Sequence, residues 1–254
     1  MNRFQPLYSV KLIANGKSHF YELGDDPNWK PGVTTVLGAA IPKPALLPWA
    51  LNQMGDNLKE ILSNREIKPW ESGELDTLIK ESKNIYKKKS SEAADIGSRV
   101  HKTINDIIHG NSVAITPDIE PAVSAFTSWD AIKTLKIELG DTKIGSRVFG
   151  YGGSLDMVAF DGNEAIIWDF KTNKKRKDRD HGIYPETAYQ LAAYCVAFRE
   201  TFGIPVKSAY ALWLNKEKPE FKAVKISNLD ACFEGFLAAL KLYNLSKFEK
   251  FEED

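Results

Sequence analysis

Cysteine is nearly absent from this 254-residue sequence. The two present, Cys195 and Cys232, cannot build a disulfide framework, a four-thiolate zinc site or a four-cysteine iron–sulfur cluster. So few thiols fit a reducing compartment, and an intracellular, cytoplasmic protein is expected. Net charge is lacking as well. The 34 Lys plus Arg balance 34 Asp plus Glu, which excludes a globally basic nucleic-acid coat but not a local basic groove offset by a carboxylate-rich site. No apolar run approaches the roughly 18 residues of a membrane span. The start, Met1-Asn2-Arg3-Phe4-Gln5-Pro6, has no signal-peptide hydrophobic region, so no membrane partner is expected. What is present is globular: 43% hydrophobic and 11% aromatic residues exclude a disordered class. The length suits one large domain, or one with a substantial insertion.

Residues 7–23 read as a hairpin. Tyr8, Val10 and Leu12 alternate with polar neighbours, Asn15-Gly16 offers a tight turn, and Phe20 to Leu23 returns. After a loop over 24–32 comes Val33-Thr34-Thr35-Val36-Leu37, then Pro42, Pro44 and Pro48, then a short helix around Trp49 to Leu62. Residues 56–92 are rich in Lys, Glu and Ser, which predicts one or two exposed helices. They are either a solvated face or an arch over a substrate channel. From Ser91 to His109 the pattern is firmly helical, with Ile96, Val100, Ile104 and Ile108 at four-residue intervals. A second helix is expected from about Pro121 to Leu135. Strands follow at Lys136–Leu139, Lys143–Val148, Ser154–Phe160 and Glu164–Phe170, the last two joined by an Asp161-Gly162 turn. A helix from about Glu186 to Thr201 lies between Pro185 and Gly203. Strands at Val206–Leu214 and Phe221–Ile226 and a helix from Asn228 complete the chain. The order predicts an α/β or α+β architecture. Its expected domains are a hairpin and helical region over 1–90 and a core over 91–254.

The chemistry concentrates in Gly152-Gly153-Ser154-Leu155-Asp156-Met157-Val158 and Trp168-Asp169-Phe170-Lys171-Thr172. If Asp161-Gly162 is the turn, counting outward brings Asp156 and Asp169 to nearly the same level of the sheet. Lys171 lies two positions beyond Asp169 and shares its face. Two carboxylates and a lysine converging in this way make either a buried ion cluster or a divalent metal site. Two Asp and a backbone carbonyl such as that of Phe170 suit Mg2+ or Mn2+. A lysine beside them could orient or help deprotonate an attacking water.

This window resembles the core of the PD-(D/E)XK nuclease superfamily, in particular its RecB-like exonuclease branch. Gly153 and Asp156 match a Gly-x-x-Asp strand. Asp169, Lys171 and Thr172 match an Asp/Glu-x-Lys-Thr strand, and Gln190 and Tyr194 match a helical Gln-x-x-x-Tyr. Gly97 and His101 match a Gly-x-x-x-His that carries a metal-binding histidine, and Glu138 is the candidate for a strand glutamate. The chain is similar to the mitochondrial genome maintenance exonuclease and to phage RecB-like exonucleases. The likeness is dense over about 91–215, thinner over 31–55 and absent over 56–90. With two cysteines the iron–sulfur cluster of one subgroup is excluded, and Leu155 stands where the superfamily's name has proline.

The resemblance implies a restriction-endonuclease-like fold, a mixed central sheet flanked by helices. It implies hydrolysis of DNA phosphodiester bonds with one or two Mg2+ or Mn2+ ions held by His101, Asp156, Asp169, the Phe170 carbonyl and Glu138. Lys171, Asp156, Asp169 and Gln190 would be the catalytic set. The implied substrate is single-stranded DNA or DNA ends, with a structure-selective or site-specific endonuclease and a non-catalytic DNA-binding module as the rival readings. A role in recombination, replication or genome processing and a phage or bacterial source would accompany it, the phage case placing the protein in the host cytoplasm. Lys171 to Asp180 holds six cations, so Thr172, Lys174, Lys175, Arg176 and Lys177, with Arg99 and Tyr194, are the candidate DNA contacts. Lys43 is a weaker one. Trp49, Trp70 and Tyr151 could stack on unpaired bases. His19, His109 and His181 read as structural or surface residues.

Overall fold

The computed structural model describes residues 4–15, 18–66 and 68–247. The chain divides into two compact units, one formed by Met1–Ile41 with Arg99–Asp254 and the other by Pro42–Ser98. The larger unit carries a five-stranded sheet of β4 (Lys136–Ser146), β5 (Tyr151–Asp161), β6 (Glu164–Asn173), β7 (Val206–Asn215) and β8 (Phe221–Lys225), in that order. All neighbours are antiparallel except β6 and β7, which run parallel. A parallel pair needs a crossover, and α5 (Glu186–Phe202) supplies it. This is the mixed, helix-flanked sheet of a restriction-endonuclease-like core.

Hydrophobic alternation decides which helix covers which face. Against one face lie α1 (Val33–Ala40), α5 and α6 (Leu229–Leu245), sharing a core with Ile167, Ala209, Ala211 and Trp213. Phe198 of α5 is fully buried there; truncating such a side chain to alanine costs about 3–5 kcal/mol. The helix ends where Gly203 takes a left-handed φ of 68° and its N–H reaches the Arg199 carbonyl at 2.8 Å. Over the other face lie α4 (Glu120–Thr127) and the residues that follow it. Trp129 meets Trp168 edge-on at 4.8 Å, and Phe126 meets Phe170 at 5.7 Å. Val100 and Ile104, at the end of the long α3 (Glu74–Ile108), are fully buried.

The N-terminal hairpin of β1 (Val10–Asn15) and β2 (Ser18–Leu23), with the short β3 (Lys30–Pro31), forms a separate three-stranded sheet. The expected Asn15-Gly16 turn reaches outside the described residues. Tyr21 and Leu23 of β2 are buried. The Tyr21 ring rests against Gly152, where a Cβ would come within 2.4 Å of it, so only glycine lets hairpin and sheet approach so closely.

Three sequence expectations are corrected. The two short strands over 136–148 are one strand, because the chain absorbs Gly140-Asp141 inside the ladder. A bulge at Glu138 and a left-handed Asp141 (φ 40°) take up the extra length. The helix expected to reach Leu135 stops at Thr127, and Asp130–Lys133 forms a separate 3-10 turn; the three-residue spacing of Val123, Phe126, Trp129 and Ile132 suits that break better than a 3.6-residue repeat. Finally, the charged stretch before Ser91 is continuous with the helix after it, as a single 35-residue α3.

In the smaller unit, α2 (Leu46–Asn64) lies antiparallel to the first part of α3. Ser82 donates to Asn57 Oδ1 at 3.0 Å and Lys89 to Gln53 Oε1 at 2.6 Å. Arg65 ties the connection, donating to Glu74 at 3.0 and 3.3 Å and to the Glu66 and Lys68 carbonyls. Among the described residues no helix is long and apolar enough to cross a membrane.

Burial separates the two thiols. Cys195 on α5 is buried and pushed up to about 12, while Cys232 is partly exposed. Since the thiolate is the reactive form, a disulfide reagent near pH 8 should modify Cys232 alone in the folded protein and both thiols after denaturation. Rapid modification of Cys195 in the native state would contradict the packing of α5.

Candidate active site

The antiparallel ladder between β5 and β6 runs from Asp161↔Glu164 to Met157↔Trp168. The next level is that of Asp156 and Asp169, and there the strands part. β6 stays paired with β7 as far as Asn173↔Asn215. The carboxylate of Asp156 enters the opening, where its Oδ2 accepts the Phe170 N–H at 2.6 Å. A side chain thus satisfies a backbone donor that the neighbouring strand no longer meets. On the other side, Gly140↔Met157 and Thr142↔Leu155 flank the level of Asp156, which faces the left-handed Asp141. Leu155 and Val158, three residues apart, both join the core against α5. The two-residue pleat therefore slips between them, and Asp156 is turned out of the regular alternation.

Asp169 and Lys171 project together toward α5. Lys171 Nζ stands 2.7 Å from Asp169 Oδ2 and donates to Gln190 Oε1 at 2.9 Å. Gln190 Nε2 in turn donates to Asp169 Oδ1 at 2.9 Å and to the Tyr194 hydroxyl at 3.0 Å. The amide faces the ammonium with its oxygen and the carboxylate with its nitrogen, so the three groups hold one another in a closed set. Gln190 and Tyr194 sit one turn apart on α5. The Tyr194 ring lies against Gly153, where a Cβ would come within 2.5 Å of it. On the other side of the opening, His101 Nδ1 lies 3.0 Å from Asp156 Oδ1, and its ring meets Phe170 edge-on at 5.8 Å.

The two carboxylates are driven apart electrostatically. Burial pushes Asp169 up; the Lys171 charge opposes this and that of Asp156 adds to it, leaving Asp169 above the usual range. Burial also opposes ionisation of Asp156, but the charge and hydrogen bond of His101 and the Phe170 N–H outweigh it and hold Asp156 low. Burial disfavours charged His101, yet Asp156 raises it above its ordinary value. Tyr194 is raised well above its ordinary value, by burial first and the Asp169 charge next, and keeps its proton. Opposite perturbation of neighbouring acids marks sites of acid–base work.

The donor chemistry suits a hard divalent cation: two carboxylates, a strand carbonyl and an imidazole. Asp169 Oδ2 is buried without a hydrogen bond, its approach to Lys171 being an ion pair. Among the described residues, however, no three His, Cys, Asp or Glu side chains are grouped to hold an ion. Here His101 engages Asp156 and Lys171 engages Asp169, so an ion would exchange with one of these contacts.

The structure brings His101, Asp156, the Phe170 backbone, Asp169, Lys171, Gln190 and Tyr194 together. Glu138 lies at the β4 bulge, 3.1 Å from Lys136. Arg99 is held by Asp118 and Thr116. Thr172 follows on β6, its hydroxyl buried and without a hydrogen bond. The basic run is partly neutralised: Lys174 pairs with Glu217 at 2.5 Å and Arg176 with Asp178 at 2.8 Å, whereas Lys175 and Lys177 are exposed. Tyr151 is a correction. It is fully buried, and its hydroxyl donates to the Ala193 carbonyl at 2.9 Å, so it offers no face to a base.

Sequence reading passed over Asp141, which faces Asp156; the Gly-Asp pair in a strand, which tolerates left-handed backbone, was the signal. It also passed over Asn173 and Trp213. Trp213 Nε1 donates to Asn173 Oδ1 at 2.8 Å, and Asn173 donates to the Gly182 carbonyl at 2.9 Å, closing the base of the cationic loop. No local signal announces that pairing.

The paired carboxylates and the lysine lie where the mixed sheet of this restriction-endonuclease-like core opens. The model of the PD-(D/E)XK nuclease superfamily matches residues 120–253, and the chain belongs to that superfamily. Among solved structures it is similar to an exonuclease candidate from Eubacterium rectale, at 12% identity and a TM-score of 0.44 over 62% of this chain and 69% of that one. It is also similar to the protein SSO0001, at 11% identity and a TM-score of 0.38 over 78% and 86% of the two chains. No curated protein matches the chain.

The seat of Tyr194 is open to test. Gly153→Ala should lower the free energy of urea unfolding by about 1–3 kcal/mol, because the added methyl forces the ring to move. An alanine protein as stable as the wild type would contradict that packing.

Proposed function

We propose that this nuclease is a metal-dependent deoxyribonuclease of the RecB-like branch, an exonuclease acting on single-stranded DNA or DNA ends. The observation that carries the reading is the closed contact set of Asp169, Lys171 and Gln190 beside Asp156. One ammonium held beside two carboxylates supports a reading in which a phosphodiester binds here. In this reading Asp156, Asp169 and the Phe170 carbonyl, with His101 and Glu138 as further ligands, hold one or two Mg2+ or Mn2+ ions. A divalent ion held there would supply Lewis-acid stabilisation of the phosphate charge.

Lys171 orients the attacking water and presents positive charge to the phosphate. Gln190 keeps that ammonium and the Asp169 carboxylate in register, and Tyr194 keeps Gln190 from rotating. Because a lone buried Gln amide would lose a partner without the tyrosine hydroxyl, Tyr194 is a positioning residue in this scheme. Lys175 and Lys177, exposed on the loop after Lys171, are the leading phosphate contacts. Lys174, Arg176, Thr172 and Arg99 would first have to give up, or act around, their present surroundings.

The test is digestion of 5′- and 3′-labelled linear single-stranded DNA beside a closed single-stranded circle, with Mg2+ and with Mn2+. The expected outcome is loss of the linear strands from one end with the circle intact, and a rate at least about a hundredfold lower for Lys171→Ala. Cutting of the circle would move the reading to an endonuclease. No hydrolysis with either ion would make the protein a DNA-binding module and overturn the scheme.

A further inference from the structure

We propose that the helical unit over Pro42–Ser98 carries a second nucleic-acid surface, a groove between α2 and α3 that takes a single strand. This rests on the nuclease reading and adds to it a binding surface built from none of the residues placed in the active site. Four lysines, Lys80, Lys83, Lys87 and Lys88, recur along α3 at i, i+3, i+7 and i+8, and all are exposed. None of them makes an ion pair among the described residues, whereas the nearby Lys89 is tied to Gln53. Lys83 stands three residues from Lys80 and four from Lys87, like-charge spacings that disfavour a helix and favour an anion beside them. Asp76 lies four residues before Lys80 and Glu92 four after Lys88, and they offset the charge at the two ends of the row.

Lys80 and Lys88 of this row border a concavity, while Lys83 and Lys87 stand beside it on the same helix. A groove of about 570 Å3 has Lys80 and Lys88 on its wall, the amides of Asn57 and Asn84 beside them, and Ile61 and Ile85 within it. A second stretch of about 690 Å3 shares Ile61, Thr77 and Glu81 with the first and continues to Trp70. Trp70 is 41% exposed. The Arg65 guanidinium lies 3.7 Å from its ring centre, covering one face. The acids of the groove lie at this end or at the junction: Glu71, Glu74 and Glu81, with Glu74 neutralised by Arg65. Charge therefore orders the groove, with cations at one end and an aromatic platform at the other. A single strand has matching parts, phosphates for the lysines, base edges for the amides and an unpaired base for Trp70. A duplex presents no open base face.

The experiment is anisotropy of a fluorescein-labelled oligothymidylate with the full chain, in EDTA, across a salt series. Replacing Lys80, Lys83, Lys87 and Lys88 together by Gln, a good helix former, should weaken binding about tenfold or more at low salt. It should also flatten the slope of log affinity against log salt by about 2–3, since each single-strand phosphate contact contributes about 0.7. The corresponding four Lys→Arg changes should keep the slope, and Lys225→Gln should leave it alone. Trp70→Leu should weaken binding about tenfold with the slope unchanged, because stacking releases no counterions. In the wild type, bound oligothymidylate should shield the four lysines from acetylation, read by mass spectrometry, while Lys225 stays reactive. That readout does not depend on a variant folding.

An unchanged slope in the glutamine variant, or four lysines acetylated as fast with the strand as without it, overturns the groove. If the wild type still degrades single strands, only the groove falls. If it neither binds nor degrades any nucleic acid, the nuclease reading falls as well.

Discussion

The parting of β5 from β6 at Asp156 is the constraint from which the rest of the site follows. An antiparallel ladder that continued would place Asp156 beside Asp169 as a strand pair and fill the space with backbone hydrogen bonds. Because β6 instead stays with its parallel neighbour, the Phe170 N–H is left for a carboxylate to satisfy. That single bond fixes Asp156 at the mouth of the opening and leaves its other oxygen for His101. The bulge at Glu138, the left-handed Asp141 and the slipped pleat between Leu155 and Val158 all accommodate the same displacement. Irregular backbone gathers here because regular backbone would close the site.

Against this opening α5 supplies rigidity. It crosses between the parallel strands, so its position is set by chain connectivity as well as by the packing of Leu191, Ala193 and Phe198. Gln190 stands on a helix held from both sides, and its amide bridges ammonium, carboxylate and phenol. Asp169 is almost fully buried and still carries a neighbouring cation. An uncompensated charge there would cost several kcal/mol. The Lys171 ammonium supplies that compensation and is drawn inward, although Lys174, Lys175 and Lys177 farther along the chain are exposed.

Much of this was legible in the sequence. Counting outward from the expected Asp161-Gly162 turn brings Asp156 and Asp169 to within two positions of one another. The turn lies at Gly162-Asn163, between the paired Asp161 and Glu164, and this shift brings them level. The alternation of a strand puts Lys171 with Asp169, and helical periodicity puts Gln190 with Tyr194. The illegible part depends on partners distant in the chain. Lys174 looks free until Glu217 reaches it from 43 positions away, and Tyr151 looks available until α5 covers it. The continuity of α3 was missed for a different reason. From Glu74 to Ile96 there is no Gly or Pro to end a helix, but the sparse apolar residues hid its period.

Sequence separation divides the site into unequal halves. Asp156 and Phe170 are 14 positions apart, Lys171 and Gln190 are 19, and Gln190 and Tyr194 are 4, so a single hairpin-and-helix segment brings them together. His101 meets Asp156 across 55 positions. Loop-closure entropy rises with the logarithm of that distance, and the histidine contact is held by the end of a helix rather than by the sheet. The acid–lysine half is therefore a local, self-contained piece of folding. The histidine contact depends instead on long-range packing, because the part of α3 that carries it is pinned by the fully buried Val100 and Ile104.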